Sequence, residues 1–310
     1  MIPLPTLRQL QFFLALVRRQ SFSKAAADSF VSQSTLSSAI KELEGLLGRQ
    51  LVDRSTRHFS LTPAGKDVAE RAAKILALAE DLARSVSTRK PLEGPFQLGV
   101  IPTIAPFLLP KAATGLARRF PKLELYLRED LTAALVERLA DGSLDAALLA
   151  FPYDLPGLDW VEIGEDQFVF AAPAGSPLAE KKAIKPTDLK DARLLLLEDG
   201  HCLREHALDA CKLRHDDVAG AFGATSLFTL TQMVRQGLGA TLLPKMAVDA
   251  GLAADAGIAI APLAAPAPAR RIGLAWRKGS GRREDCALLA DFFREVLKAP
   301  AATVRGRRAL

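Results

Sequence analysis

Apolar positions in the first ninety residues recur at helical spacing. Leu10, Phe13, Leu14 and Val17 form one stripe behind a Thr6-x-x-Gln9 pair that reads as a capping box, which predicts a first helix from about Leu7 to Arg19. Ser21 to Phe30 carries Ala25, Ala26 and Ala27, small enough for another helix to cross closely. After a break at Val31 and Ser32, a third helix carries Leu36, Ile40, Leu43 and Leu47 at spacings of 4, 3 and 4, until Gly48 ends it. Two short helices with a tight turn make a helix-turn-helix. Phe59-Ser60-Leu61, beyond Arg54, Arg57 and His58, adds a strand-like stretch that reads as a wing. Thr62 and Pro63 supply an N-cap and a first helical position for a helix that could run through Arg89. Val68, Ala72, Ile75, Ala79, Leu82 and Val86 give it heptad spacing, which fits pairing with a second copy of itself, against the plainer reading of packing on its own domain. Pro91, Gly94 and Pro95 close the linker.

Beyond the linker the pattern changes. Strand-like runs at Phe96–Ile101, Leu123–Leu127, Asp145–Leu149, Phe168–Ala172, Leu194–Leu197, Ala240–Leu243 and Ile272–Trp276 alternate with helical stretches. This alternation predicts α/β layers with largely parallel sheets, arranged as two lobes with a cleft between them. Gly237-x-Gly239 lacks the further glycines and the preceding strand of a dinucleotide fingerprint, so no nucleotide or other cofactor is expected.

Charge sharpens the division. The chain of 310 residues has a net charge of +6 and 49% apolar residues, which excludes a disordered polypeptide. Residues 1–92 hold 14 Lys and Arg against 8 Asp and Glu, so the whole excess lies in the front unit and the remainder is neutral. A small basic module joined to a larger neutral one suits contact with a polyanion. The outward residues of the third helix, Ser32, Gln33, Ser34, Thr35, Ser37, Ser38 and Lys41, are short hydrogen-bonding groups and one cation, suited to base edges and phosphates; a merely solvated polar face is the plainer alternative. Arg54 and Arg57 would reach phosphates or the minor groove from the wing. Three cysteines are too few for a secreted disulfide scaffold, and the start carries no secretion signal. The longest uncharged stretch near the C-terminus, Ala256 to Ala269, is 14 residues with three prolines, so no membrane span is expected and the location is read as cytoplasmic.

Five of the seven His and Cys residues fall in one window: His201, Cys202, His206, Cys211 and His215. One reading makes them Zn or Cu ligands, although their spacing lacks two matching ligand pairs and no metal is expected. A second makes the cysteines inert buried thiols. The third is redox. Cys202 opens a helix running to about Leu213, beside His201 and Arg204, and helix dipole and cations both favour a thiolate. A thiolate attacks peroxide to give sulfenic acid, which a second thiol, here Cys211, condenses to a disulfide. Nine helical residues separate their Cα atoms by about 13.5 Å, whereas a disulfide needs about 4.4–6.8 Å, so bonding requires the helix to unwind.

Phe22-Ser23-Lys24-Ala25-Ala26, Val31 to Ser37, Lys41-Glu42-Leu43-Glu44 and Leu61 to Gly65 resemble the winged helix-turn-helix and linker helix of LysR-type transcriptional regulators. Ile101-Pro102-Thr103, Leu108-Leu109-Pro110, Phe120 to Glu124, Leu197 to Arg204 with Cys211 nine residues on, Ala224 to Leu227 and Thr241 to Pro244 resemble the peroxide-sensing OxyR branch of that family. The resemblance implies a winged helix-turn-helix at 1–62, a linker and dimerisation helix at 63–90, a two-lobed periplasmic-binding-protein-like regulatory domain at 91–300 and a basic tail at 301–310. It implies a non-enzymatic activator of antioxidant genes that forms homodimers and homotetramers on double-stranded promoter DNA and engages RNA polymerase. Cys202 would be the peroxide-reactive thiol and Cys211 its resolving partner, with Thr103, Thr132, Gly200, His201 and Arg204 around the peroxide. The sequence departs from the family pattern at Ser34, where proline is frequent, and at Phe228, where a polar or acidic residue is expected. Two rivals remain: a LysR-type regulator that binds a small organic effector in its cleft, and a thiol peroxidase.

Overall fold

The computed structural model describes residues 3–53, 59–85, 90–189, 192–211 and 224–299. Contacts divide the chain into two compact units, residues 1–88 with 140–143 and residues 89–139 with 144–310.

The first unit opens with α1 (Leu7–Arg19), where Gln9 N–H donates to Thr6 Oγ1 and Thr6 N–H to Gln9 Oε1, completing the capping box. α2 (Phe22–Asp28) is shorter than the Ser21 to Phe30 run suggests, because Ser21 caps it and Phe30 turns the chain at φ +53. α3 (Gln33–Leu47) starts from Ser32 and stops at left-handed Gly48. Leu10, Phe13, Leu16, Ala25, Leu36, Ile40 and Leu43 form one buried core. The wing strands β1 (Val52–Asp53) and β2 (Ser60–Leu61) pair antiparallel, and Arg54, Arg57 and His58 lie outside the described residues. α4 (Pro63–Ser85) packs so closely that a Cβ on Gly65 would lie 2.1 Å from the Leu51 carbonyl oxygen, which only glycine avoids. The heptad on α4 is shared between two roles. Val68 and Ala72 belong to the unit's own core, whereas Ile75 and Leu82 are 44% and 71% exposed. Residues 86–89, expected to extend this helix, are outside the described set.

In the second unit, β3 (Gly94–Val100), α5 (Ala105–Arg119), β4 (Leu123–Glu129), α6 (Thr132–Ala140) and β5 (Ala146–Phe151) follow in β/α alternation. β6 (Leu158–Pro173) leads to a short 3₁₀ turn at Pro177–Glu180, then to α7 (Pro186–Leu189), α8 (Cys202–Cys211), α9 (Leu227–Arg235) and β7 (Thr241–Pro244). α10 (Lys245–Asp249), α11 (Leu252–Ala256), β8 (Ile258–Pro262), β9 (Ala269–Arg277) and α12 (Arg283–Lys298) complete it. The strand order is β4-β3-β5-β9-β6-β7, with β8 also on β6.

Two cores define two lobes. One gathers Phe96, Leu98, Leu148, Ile272, Leu274 and Phe293, and the other Phe168, Phe170, Leu195, Leu203, Leu227 and Leu242. β6 serves both, pairing with β9 through Gln167 and then with β7 and β8 from Phe168 onward. This long return strand corrects the expectation of largely parallel sheets: β3 pairs parallel with β4 and β5, but β9 and β6 enter antiparallel and so do their remaining partners. Leu194–Leu197, expected as a strand, makes only isolated parallel bridges to Ala240 and Ala224. Conversely the Ala- and Pro-rich run after Ala256 forms β8, which its composition hid.

Candidate functional site

On the first unit, the expected DNA-facing residues divide by the bonds they already make. Ser32 caps α3, accepting from Thr35 N–H at 3.1 Å, and its hydroxyl also meets those of Ser34 (2.8 Å) and Thr35 (2.7 Å). Gln33 accepts from the Ser23 hydroxyl at 2.9 Å through Oε1, which leaves its amide hydrogens as the outward donors. Ser38 and Lys41 are exposed and Ser37 is half-buried.

On the second unit, the chemistry converges on the first residue of α8. Leu203, Ala207 and Leu208 seat α8 in the core of one lobe, while Cys202 packs against the core of the other. Left-handed Gly200 (φ +95) turns the chain into the helix; it is exposed and lies in the turn. Arg204 Nη1 donates to Leu197 O at 3.2 Å, and its Nε lies 3.2 Å from an Asp199 carboxylate oxygen. Buried His201 has its pKa lowered by desolvation, against the opposing charge of Glu198.

The cation that acts on the sulfur comes from elsewhere. Arg270, 1% exposed, enters from the start of β9. Its Nη1 donates to Thr103 Oγ1 at 2.7 Å and its Nη2 to Thr103 O at 3.0 Å; Nε and Nη2 both donate to Asp166 Oδ2, at 3.2 and 3.0 Å. Asp166 Oδ1 accepts from Met246 N–H at 2.9 Å, so the carboxylate is held on both sides. Because Thr103 Oγ1 accepts from Arg270, its own hydrogen is available to donate. Thr132, at the first position of α6, is 2% exposed and its hydroxyl has no nitrogen or oxygen partner, so it is not the helix cap its position suggests.

These surroundings correct the expected thiolate. Burial pushes the Cys202 thiol up from its ordinary value, and Thr132, Arg270 and the N–H groups of Cys202 and Leu203 pull against that rise without overcoming it. The helix terminus and a cation are present as expected, but desolvation outweighs them. His206, one turn along α8, is also buried, with Nε2 2.9 Å from Pro152 O. Cys211 closes α8; its side chain and His215 lie outside the described residues. Among the described residues, no three His, Cys, Asp or Glu gather as metal ligands, and no helix is long and apolar enough to cross a membrane. Cys286, free and fully buried in α12, is far above the ordinary thiol pKa through desolvation first and then the charges of Asp285 and Asp145.

Two family profiles match the chain: the bacterial regulatory helix-turn-helix protein, lysR family, over residues 7–66, and the LysR substrate binding domain over residues 89–298. The chain belongs to the LysR family. Among its LysR relatives, a probable hydrogen peroxide-inducible genes activator of Mycobacterium avium is 41% identical over 298 residues, covering 95% of each chain. Full-length OxyR from Pseudomonas aeruginosa, carrying a cysteine-to-aspartate change, superposes with a TM-score of 0.80 at 33% identity, over 93% of this chain and 94% of that one. A cysteine-to-serine mutant of Corynebacterium glutamicum OxyR with hydrogen peroxide bound gives a TM-score of 0.65 at 33% identity, over 96% and 94%. As a LysR regulator the chain carries its DNA-binding helix-turn-helix at the front, and Arg270 and Asp166 are the two residues at the Cys202 site that sequence reasoning missed.

Proposed function

We propose that this LysR regulator senses hydrogen peroxide through Cys202 and a reversible Cys202–Cys211 disulfide, and activates antioxidant genes in the cytoplasm. The observation that carries the reading is that Thr132 and Arg270, the latter bonded to Thr103, act on a thiol that opens the same helix as a second cysteine. Peroxide offers two O–H donors and oxygen lone pairs, and the residues around Cys202 supply hydroxyls that both donate and accept beside a buried cation. Attack by the Cys202 sulfur forms an S–O bond and breaks the O–O bond, leaving sulfenic acid and water. Cys211 then displaces that hydroxyl as water to form the disulfide.

Helix α8 gives the reaction its consequence. With both cysteines in one helix their Cα atoms are about 13.5 Å apart, twice the reach of a disulfide. Bonding unwinds α8 and withdraws Leu203 and Leu208 from their core, at a cost of about 1.5–3 kcal/mol for each leucine not reburied. The covalent bond holds the regulatory domain in the remodelled state until a thiol reduces it. In this reading residues 1–62 grip promoter DNA with Gln33, Ser34, Ser38, Lys41, Arg54 and Arg57, residues 63–90 pair two chains through the exposed apolar positions of α4, and residues 91–300 sense peroxide. Dimers of dimers and contact with RNA polymerase complete the assembly, and the chain turns over no substrate.

The test is one equivalent of hydrogen peroxide added to the reduced chain, followed by alkylation and mapping of the cysteine peptides. A linked Cys202–Cys211 peptide, reversed by thiol reductant and lost in Cys202→Ser, is expected. Both cysteines alkylated and unlinked would point instead to a small effector in the cleft.

A further inference from the structure

One buried group at the site has no role in the chemistry above. His206 is 5% exposed and four residues after Cys202, so the two side chains share a face of α8 with their Cβ atoms about 5–6 Å apart. Its Nε2 lies 2.9 Å from Pro152 O. A carbonyl oxygen only accepts, so Nε2 carries the ring hydrogen and Nδ1 is a bare lone pair. That Nδ1 is buried and has no hydrogen-bond partner in the protein. An unmet buried acceptor is unfavourable, and here it sits one helical turn from the thiol that must lose a proton.

We propose that His206 is the proton acceptor of the Cys202 site, its Nδ1 taking the thiol proton as the sulfur attacks hydrogen peroxide. The role rests on the peroxide reading above. The S–H bond breaks toward Nδ1, directly or through one water, while the S–O bond forms and the O–O bond breaks. The departing hydroxide then takes the proton from the imidazolium and leaves as water, so the ring ends neutral. The proton travels from sulfur to a far stronger base, and the ring only holds it in transit.

The surroundings suit this task. The charged groups around the ring are Arg270 of β9 and Glu205 and Asp209 of its own helix; the Pro152 carbonyl faces Nε2. Burial, with Arg270, keeps the ring neutral, and Glu205 and Asp209 oppose it. A neutral ring is one that can accept. The base is needed here because burial keeps Cys202 protonated.

The discriminating variant is His206→Gln in the full chain, because a glutamine amide can still donate to Pro152 O but does not take a proton. Oxidation of Cys202 by hydrogen peroxide is followed by rapid quenching with an alkylating agent from pH 6.5 to 8.5. The wild-type rate should be nearly flat across this range. The variant should be slower by about a hundredfold at pH 7 and should climb about tenfold per pH unit with the thiolate fraction. A variant that matches the wild-type rate, or is slower with the same flat profile, overturns the role, since the second outcome is that of a merely structural residue. If His206→Gln fails to fold, the solvent isotope effect on the wild-type chain decides: a rate clearly lower in D₂O supports proton transfer to the ring, and an equal rate overturns it. A wild-type Cys202 that stays fully alkylatable refutes the peroxide reading and this role with it.

Discussion

Among the described residues, the second unit buries two arginines, Arg282 between two carboxylates and Arg270 between one carboxylate and Thr103, and only Arg270 acts on Cys202. Arg282 donates through Nε to Asp145 (3.2 Å), through Nη1 to Asp285 (2.7 Å) and through Nη2 to Pro95 O (2.6 Å). Its carboxylates then accept from Gln97 N–H and Leu92 N–H, at 2.8 and 2.7 Å. Burial alone would lower the Arg282 pKa, but the two carboxylates more than offset it and raise it. This cluster spends its donors on carboxylates and backbone, tying the start of α12 to the start of β3. Arg270 is as deeply buried, yet its charge also falls on Cys202 and His206, and beside it the Thr132 hydroxyl has only the thiol to turn to while His206 Nδ1 is unmet. A buried ion pair is therefore no sign of function by itself; the sign is unfinished hydrogen bonding next to a nucleophile.

The largest effect should come from the finished cluster. Arg282→Met removes the cation from buried Asp285 and half-buried Asp145 and should cost about 3–5 kcal/mol, read as a lower denaturant midpoint. An undiminished midpoint would mean that the carboxylates take up protons or water freely, and the contrast between the clusters would fail. Arg→Lys at either site keeps the charge but loses the fork, for about 2 kcal/mol each. Only Arg270→Lys should also slow Cys202 oxidation, by about tenfold. Equal slowing by Arg282→Lys would show that general loosening, and not the charge beside the thiol, sets the rate.

The same contrast explains what the sequence discloses. α1, α3 and Cys202 with its helix are written in contiguous residues: a capping pair, a 4-3-4 stripe, a Gly-His-Cys-Leu-Arg run. Arg270 and Asp166 are 104 residues apart, and each reads alone as an ordinary surface charge. One signal was present. Arg270 has the same parity along β9 as the buried Ile272, Leu274 and Trp276, and an inward-facing arginine demands a buried partner. The strand beginning at Leu158 was missed because its first half alternates weakly, and the state of Cys202 because burial depends on lobes that no local pattern describes. The heptad of α4 was legible, but its division between core positions and exposed ones follows from α1, the main element packed on it.

Acidification separates the clusters more gently. His201 and His206 have pKa values lowered by desolvation, so the unfolded chain binds protons that the folded chain refuses. Their stabilising share is complete above the ordinary value of 6.5 and is lost as pH falls below it. The denaturant midpoint should therefore drop between pH 7 and 5.5, with a smaller drop in His206→Gln. Because Arg282 keeps its proton throughout, Arg282→Lys should shift the whole curve without changing its slope. A changed slope would couple the two clusters.

The smallest effect tests whether the Arg270 cluster is isolated from the surface. Asp166 is anchored by Met246 N–H at the start of α10, and the preceding residue, Lys245, makes an exposed ion pair with Asp249 at 2.6 Å. Exposed pairs of this spacing contribute about 0.3–0.5 kcal/mol, because water screens them and two long side chains must be held still. Lys245→Ala should therefore move the denaturant midpoint barely above error and leave the rate of Cys202 oxidation unchanged. Such a result fits a carboxylate held by Arg270 and the Met246 N–H without help from the Lys245 side chain. If the rate falls while stability holds, the end of α10 is transmitting strain through Met246 to Asp166 and on to Arg270, and the reactive cluster extends to the surface where the Arg282 cluster does not.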